Sequence, residues 1–241
     1  MPIHATTRSR IELLVLALVA GLLVRAFQSI PQLFALVYPL RLFTTLVHEV
    51  SHCLATLITG GGVNKFIIRM DQSGFAESVG GIRTIILPAG YIGTAIFGSC
   101  MFYLVNRFTK SAKRLTFASG IGMCLFAIIF ARPEESWMPT AHVVAICYAL
   151  IAVTIGWKAP LWANRLFANT IAFTTVLEAI GGLIALIQNA RWEDNNDASM
   201  FAREIIPLPP GVIAGIWLLF AVGFFVSSCY FLIRSSFSKA N

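Results

Sequence analysis

The sequence predicts an all-α polytopic membrane protein of six to seven transmembrane helices with one short β-hairpin, and three observations carry that reading. First, 57% of the 241 residues are hydrophobic and only 12% charged, against roughly 25% charged in soluble domains. Second, the mean hydropathy is +0.78, and apolar runs recur along the whole length, most near the roughly 20 residues that a spanning helix needs. Third, polar connections between the runs are short. The expectation is therefore a single integral membrane domain over residues 1–241, multi-pass, in the plasma membrane.

The apolar stretches are 11–27, 33–59, 84–105, 115–131, 141–157, 166–189 and 210–233. Arg8 and Arg10 before the first resemble the basic region of a signal peptide, but Arg25 near its end and the lack of a small-residue cleavage site make it a retained anchor. The second is long and contains Pro39, so residues 33–40 can form a re-entrant half-helix. Residues 63–79 alternate in part, are β-branched, and carry Asp71-Gln72-Ser73-Gly74 at their middle, which predicts a hairpin. Gly60-Gly61-Gly62 and Gly80-Gly81 frame it as flexible joints. This hairpin is either an ordinary surface feature or a substrate-contacting one.

The net charge of +7 comes from 18 Lys and Arg against 11 Asp and Glu, scattered between apolar runs. That distribution suits anionic lipid of the bilayer rather than nucleic acid, for which no recognition pattern is present. Cys53, Cys100, Cys124, Cys147 and Cys229 all lie in apolar runs and make an odd count, so no disulfide framework is expected. Loop 106–114, with Arg107, Lys110, Lys113 and Arg114 and no acid, should be cytoplasmic. Lys158, Arg165, Arg234 and Lys239 fall on the same side; Glu134, Glu135, Glu193, Asp194 and Asp197 fall opposite. Counting back through three spans puts the amino terminus outside, whereas Arg8 and Arg10 favour the cytoplasm; a half-helix at 33–40 would reverse that count.

The chemistry-bearing pattern is His48-Glu49-Val50-Ser51-His52. On a helix, positions i and i+4 share a face about 6 Å apart along the axis, so both imidazoles can bind one tetrahedral zinc ion. Glu49, about 100° away, can take a proton from water that the metal acidifies. Two histidines and a glutamate in an apolar helix would each cost roughly 2 kcal/mol or more in lipid without a partner. A metal is the economical partner for all three.

Residues 46–59 with Gly60-Gly61-Gly62 resemble the active-site helix of the site-2 protease family of intramembrane zinc metalloproteases, in particular its compact peptidase-B-like branch. That branch reads His-Glu-x-x-His-Ala-x-x-Ala-x-x-Thr-Gly-Gly, then a hairpin with a Ser-Gly turn, then an Ala-Gly-Tyr-Gly-type helix. Ser73-Gly74 and Ala89-Gly90-Tyr91-Ile92-Gly93 stand at the matching places. Asn196 to Arg203 is similar to the branch's Ser-Asp-Ala-x-x-x-Ala-Arg element before the last helix. The resemblance implies zinc held by His48, His52 and a late aspartate, with Glu49 as general base, acting on a membrane protein or peptide substrate.

Asp197 is the matched acid, although the Asp-Gly pair usual in the broader family is missing. Glu178, inside stretch 166–189, competes with it as third ligand. The small-residue stripe Gly90, Thr94 and Gly98 lets another helix approach closely, and the resemblance makes the histidine helix that neighbour. It also implies a site nearer the cytoplasmic face, against the extracytoplasmic face from the charge count. His142 reads as interfacial, Arg132 as a solvated helix end, and Asn106, Asn164 and Asn169 as loop or cap residues, with Asn169 able to hydrogen-bond within the bundle. The alternative from another functional class is a non-catalytic membrane scaffold or transport-associated protein that keeps this fold.

Overall fold

The structure, a computed structural model, describes residues 3–28, 30–133, 139–192 and 194–237. Glu134, Glu135, Glu193 and Lys239, used above for sidedness, lie outside the described residues. Helix α1 (Ile3–Phe27) and helix α2 (Pro31–Ile58) are followed by strands β1 (Gly62–Ile68) and β2 (Gly74–Val79). Then come α3 (Arg83–Arg107), a 3-10 turn at Thr109–Ser111, α4 (Ala112–Phe130), α5 (Thr140–Lys158) and α6 (Leu161–Asn189). Short α7 (Asp197–Glu204) and α8 (Pro210–Phe237) complete the chain. Among the described residues six helices are long and apolar enough to cross a membrane, namely α2, the 3-10 turn with α4, and α3, α5, α6 and α8.

These segments are helices because lipid offers no partner to a backbone N–H or C=O, and a helix satisfies both within itself. Their outward faces confirm the solvent: Leu219 is 75% exposed, Leu150 63% and Trp157 73%, an arrangement suited to hydrocarbon and its interface, not to water. Prolines mark several boundaries, at Pro31, Pro160 and Pro210, where the missing N–H costs nothing in a first turn. Pro39 lies inside α2, which continues through it from Pro31 to Ile58; the expected break at residue 40 is not seen.

Between the helices, the core is aromatic and small-residue. Phe43 of α2 stacks on Tyr148 of α5 and meets Phe97 of α3. Gly98 lets α3 press on α6: a Cβ there would lie 2.6 Å from the Ala172 carbonyl and 2.8 Å from Val176. The stripe that begins at Gly90 therefore serves two neighbours, α2 at Gly90 and α6 at Gly98, where the sequence suggested the histidine helix alone.

Asn106 and Asn164, expected in loops or caps, are instead buried, and Asn169 is buried and hydrogen-bonds within the bundle, as the sequence allowed. Asn106 Nδ2 donates to Asn169 Oδ1 at 2.6 Å, Arg165 Nη2 donates to Asn106 Oδ1 at 2.8 Å, and Thr116 Oγ1 donates to Asn164 Oδ1 at 3.4 Å. They tie α3, α4 and α6 together far from the hairpin. Each is a polar group that lipid cannot satisfy, so the helices satisfy one another.

The hairpin is antiparallel, running from Gly62 opposite Val79 to Ile68 opposite Gly74, with one irregularity between Val63 and Lys65. Its turn is set by Asp71, whose Oδ1 accepts from Ser73 N at 2.9 Å, and by Gln72 at φ 72°. Far from being a loose surface feature, it lies along α2: Tyr38 donates to the Met70 carbonyl, and Thr45 Oγ1 donates to the Gln72 carbonyl at 3.0 Å. Phe66, Ile67 and Ile68 of β1 are buried, and β1's outer edge is closed by a bridge from Phe66 to Ala131.

The α3–α6 contact should be intolerant of bulk. Gly98→Leu forces backbone and Val176 apart and should cost about 1–3 kcal/mol, lowering the thermal unfolding midpoint of the detergent-solubilised protein. Gly215→Ala, where an added Cβ meets nothing within 4 Å, should leave the midpoint unchanged; equal loss in both would remove close helix packing as the cause.

Candidate metal centre

Helix α2 is held in register by buried Leu46, Val47, Val50 and Cys53 on its core side, which turns His48, Glu49 and His52 toward the hairpin and α3. Cys53, adjacent to His52 in sequence, belongs to that core and not to the site. His52 Nδ1 donates to the Ile86 carbonyl at 2.7 Å. That bond fixes the tautomer, so a neutral His52 presents a lone pair at Nε2. His48 is held by ring packing, edge to face with Tyr91 at 4.6 Å and with His52 at 4.8 Å between centroids.

Asp197 arrives from the other end of the chain. It is the first residue of α7, whose start is capped by Asn196 Oδ1 accepting from Ser199 N at 2.9 Å. The loop before it is braced by Arg203: Nη1 donates to the Trp192 carbonyl and, at 2.7 Å, to that of Asp194, while Nη2 reaches Asn195 Oδ1 at 3.3 Å. Glu204, at the end of α7, accepts a two-pronged bond from Arg83 of α3 at 2.7 and 2.8 Å. Phe201 packs edge to face on Trp217, so α7 is anchored to α3 and α8 and cannot drift.

The result is a convergence of three acceptor atoms. His48 Nε2 and His52 Nε2 are 3.1 Å apart, and Asp197 Oδ2 lies 3.2 Å from the first and 3.3 Å from the second. Tetrahedral zinc with bonds of about 2.0 Å separates its ligand atoms by roughly 3.3 Å, so this donor set fits such an ion without rearrangement. Burial alone would push the Asp197 carboxyl up, but His52 and His48 outweigh it and hold the carboxyl below its usual range. Gly90 makes the close approach possible, since a Cβ at that position would sit on His48 Nε2 and His52 Nε2.

Glu49 is 4% exposed and lines the same cavity of ≈ 1030 Å³ as His48, His52 and Asp197. Its carboxyl lies where any side chain on Gly74 would be, so the Ser73-Gly74 turn of the hairpin covers it. Ser73 of the turn and Gly74 to Ala76 of β2 border the cavity, and no other strand among the described residues pairs with the outer edge of β2.

Glu178, the rival acid, lines the same cavity but is not part of the His48, His52 and Asp197 cluster. It accepts from Gln28 Nε2 and lies 3.9 Å from Arg25 Nη1 and 4.0 Å from Arg41 Nε; two guanidiniums satisfy the charge that made it suspicious in an apolar stretch. His142 opens α5, and its Nδ1 makes no hydrogen bond among the described residues. Arg132 donates to the Ile129 and Ala131 carbonyls, as a helix-end cation does. Sequence reasoning missed the Ile86 carbonyl, for which no side chain gives a signal. It also missed the brace from Arg203, although Arg203 closes the Ala-Arg element.

The family description Peptidase M50B-like matches residues 13–228, which contain every residue of this cluster. The chain belongs to that family. No curated protein and no solved structure matches it.

The cluster should bind about one divalent metal per chain. His48→Ala, His52→Ala and Asp197→Ala should each abolish it, Arg203→Gln should weaken affinity roughly 10-fold by loosening the ligand loop, and Glu178→Gln should change nothing. Elemental analysis and competition with a chelator check all five; metal lost from Glu178→Gln but kept in Asp197→Ala would reverse the ligand assignment.

Proposed function

We propose that this Peptidase M50B-like protein is a zinc metalloendopeptidase that hydrolyses peptide bonds within or beside the membrane. The observation that carries the reading is the meeting of His48, His52 and Asp197, from α2 and α7, beside a buried glutamate in one cavity. His48 Nε2, His52 Nε2 and Asp197 Oδ2 would hold the zinc, which supplies Lewis acidity, polarising a peptide carbonyl and making water easier to deprotonate.

Glu49 is the general base. Its carboxylate takes a proton from the attacking water and returns it to the leaving amine as the carbon–nitrogen bond breaks, so the products are a carboxylate and an amine. The Gly74 contact and the surrounding burial limit other water around that carboxylate, which strengthens its electrostatic coupling to the reacting atoms. The open edge of β2 beside the cavity suits an extended substrate: a helical segment that unwinds there can pair as an added strand and carry its scissile bond past Glu49. The closed outer edge of β1 leaves β2 as the pairing edge.

Glu49→Gln preserves shape and the histidine ligands but cannot accept a proton. Zinc content should stay near one per chain while single-turnover cleavage of a transmembrane model peptide falls by about 100-fold or more. Equal cleavage by both forms would remove Glu49 as base; zinc bound by both with cleavage by neither would favour the non-catalytic scaffold.

A further inference from the structure

Four guanidiniums line the cavity of the metal centre, those of Arg25, Arg41, Arg69 and Arg83, against the carboxylates of Glu49, Glu178 and Asp197. Most of these charges already have a task. Arg83 is held by Glu204 through two hydrogen bonds, Asp197 faces the two histidines, and Glu49 lies under Gly74. Arg69 belongs to the hairpin turn, where its Nη1 reaches Ser73 Oγ at 3.4 Å. Glu178 is left with two guanidiniums for one carboxylate. Its Oε1 accepts from Gln28 Nε2, and Arg25, 3.9 Å from that oxygen, donates to Gln28 Oε1 at 2.7 Å. Arg41 Nε, 4.0 Å from Oε2, is beyond hydrogen-bond reach. Among the described residues the Arg41 guanidinium donates to no acceptor, although it carries five N–H groups.

The helix fixes where those donors point. Arg41, Thr45, His48 and His52 recur at intervals of four, three and four, the spacing of one helix face, and all four line the cavity. Arg41 is seven residues before His48, about 10 Å along the axis. The hairpin lies alongside. Thr45 donates to the Gln72 carbonyl of its turn, Gly74 sits against Glu49, and Gly81, just past β2, packs on Thr56 and Thr59. Strand β2 therefore runs in the direction of α2, with Arg41 beyond its first residue. An extended segment that pairs antiparallel with the open edge of β2, the more stable pairing, runs the opposite way. Its residues before the cleaved bond lie on β2, and those after it leave the strand and pass Arg41. At about 3.3 Å per residue, three residues span the distance from His48 to Arg41, and four span it from midway between the histidines.

We infer that Arg41 is a specificity-determining residue, which takes the carboxylate of an acidic side chain on the third or fourth residue after the cleaved bond. This deepens the peptidase reading and rests on it. A planar guanidinium accepts a carboxylate through two parallel hydrogen bonds, and Glu178 can keep Gln28 and Arg25 while Arg41 turns to the substrate. A basic side chain at the same place meets Arg41 and Arg25 with Glu178 already shared between them, so like charge rejects it. An acid within an apolar segment is costly in lipid without a partner. Arg41 relieves that cost only once the segment is seated in the cavity.

The test uses the zinc-loaded full-length protein in detergent and a series of peptide hydroxamates. The hydroxamate chelates the metal, and the residues attached to it stand for those after the cleaved bond. Each chain is leucine and alanine with a single Glu, Gln or Lys at the first, third or fourth position. Calorimetric titration should give a Kd about 10-fold lower for Glu than for Gln at the third or fourth position, a higher one for Lys, and no gain from Glu at the first. Arg41→Gln should erase the preference for Glu and leave the Gln peptides unchanged, and Arg41→Glu should turn it into a preference for Lys. An arginine with a merely structural role would shift every peptide alike. Should Arg41→Glu fail to fold, Arg41→Gln and the position scan decide. Equal binding of Glu and Gln peptides, an equal gain from Glu at the first position, or a Glu preference that survives Arg41→Gln would overturn the inference and leave the peptidase reading standing. If no hydroxamate binds, neutral ones included, both readings fall. Binding as expected, with no cleavage of a transmembrane model peptide, removes the peptidase and keeps Arg41 as the acid-binding residue.

Discussion

Three acceptor atoms pointed at one part-buried spot are the constraint on which the rest of this structure depends. His48 Nε2, His52 Nε2 and Asp197 Oδ2 lie 3.1 to 3.3 Å from one another, and with Nδ1 of His52 already donating to Ile86, the neutral His52 ring turns a lone pair at Nε2 toward the carboxylate oxygen. Such an arrangement is unfavourable unless a cation stands between them. The surrounding elements serve to bring it about. Gly90 lets α3 close on α2, Arg203 and Arg83 pin α7, and the hairpin packs along α2 until its Gly74 covers Glu49. Each of these contacts either positions a member of the cluster or covers the glutamate beside it.

A second polar system keeps the bundle in shape around that site. Glu178 gathers Gln28, Arg25 and Arg41 from α1 and α2, and the Asn106–Asn169–Arg165 group joins α3 to α6 at the opposite end. Both place charges or amides where hydrocarbon gives them no partner, so each helix is tied to a neighbour that satisfies them. Hydrophobic burial cannot do this in lipid, where an exposed leucine already has a favourable solvent. The two systems therefore set helix positions, and with them the geometry of the ligands.

Much of the architecture was legible in the sequence because the relevant signals are local. Apolar length marks helices, Asp71 to Gly74 marks the turn, and the four-residue spacing of His48 and His52 puts two imidazoles on one face whatever the rest of the chain does. Long-range relations were less legible. Asp197 and Glu178 are both acids near apolar helices, and only the fold separates one beside the histidines from one beside two arginines. Asn106 and Asn164 sit near the ends of apolar runs, where a loop and a buried network look alike. Branch resemblance pointed to Asp197, and in the fold that acid lies beside the two histidines.

The most direct test of the account is anomalous diffraction at the zinc absorption edge from crystals of the full-length protein. It should show one strong peak about 2 Å from each of His48 Nε2, His52 Nε2 and Asp197 Oδ2. A peak beside Glu178, or zinc bound only at sites remote from the two histidines, would contradict it.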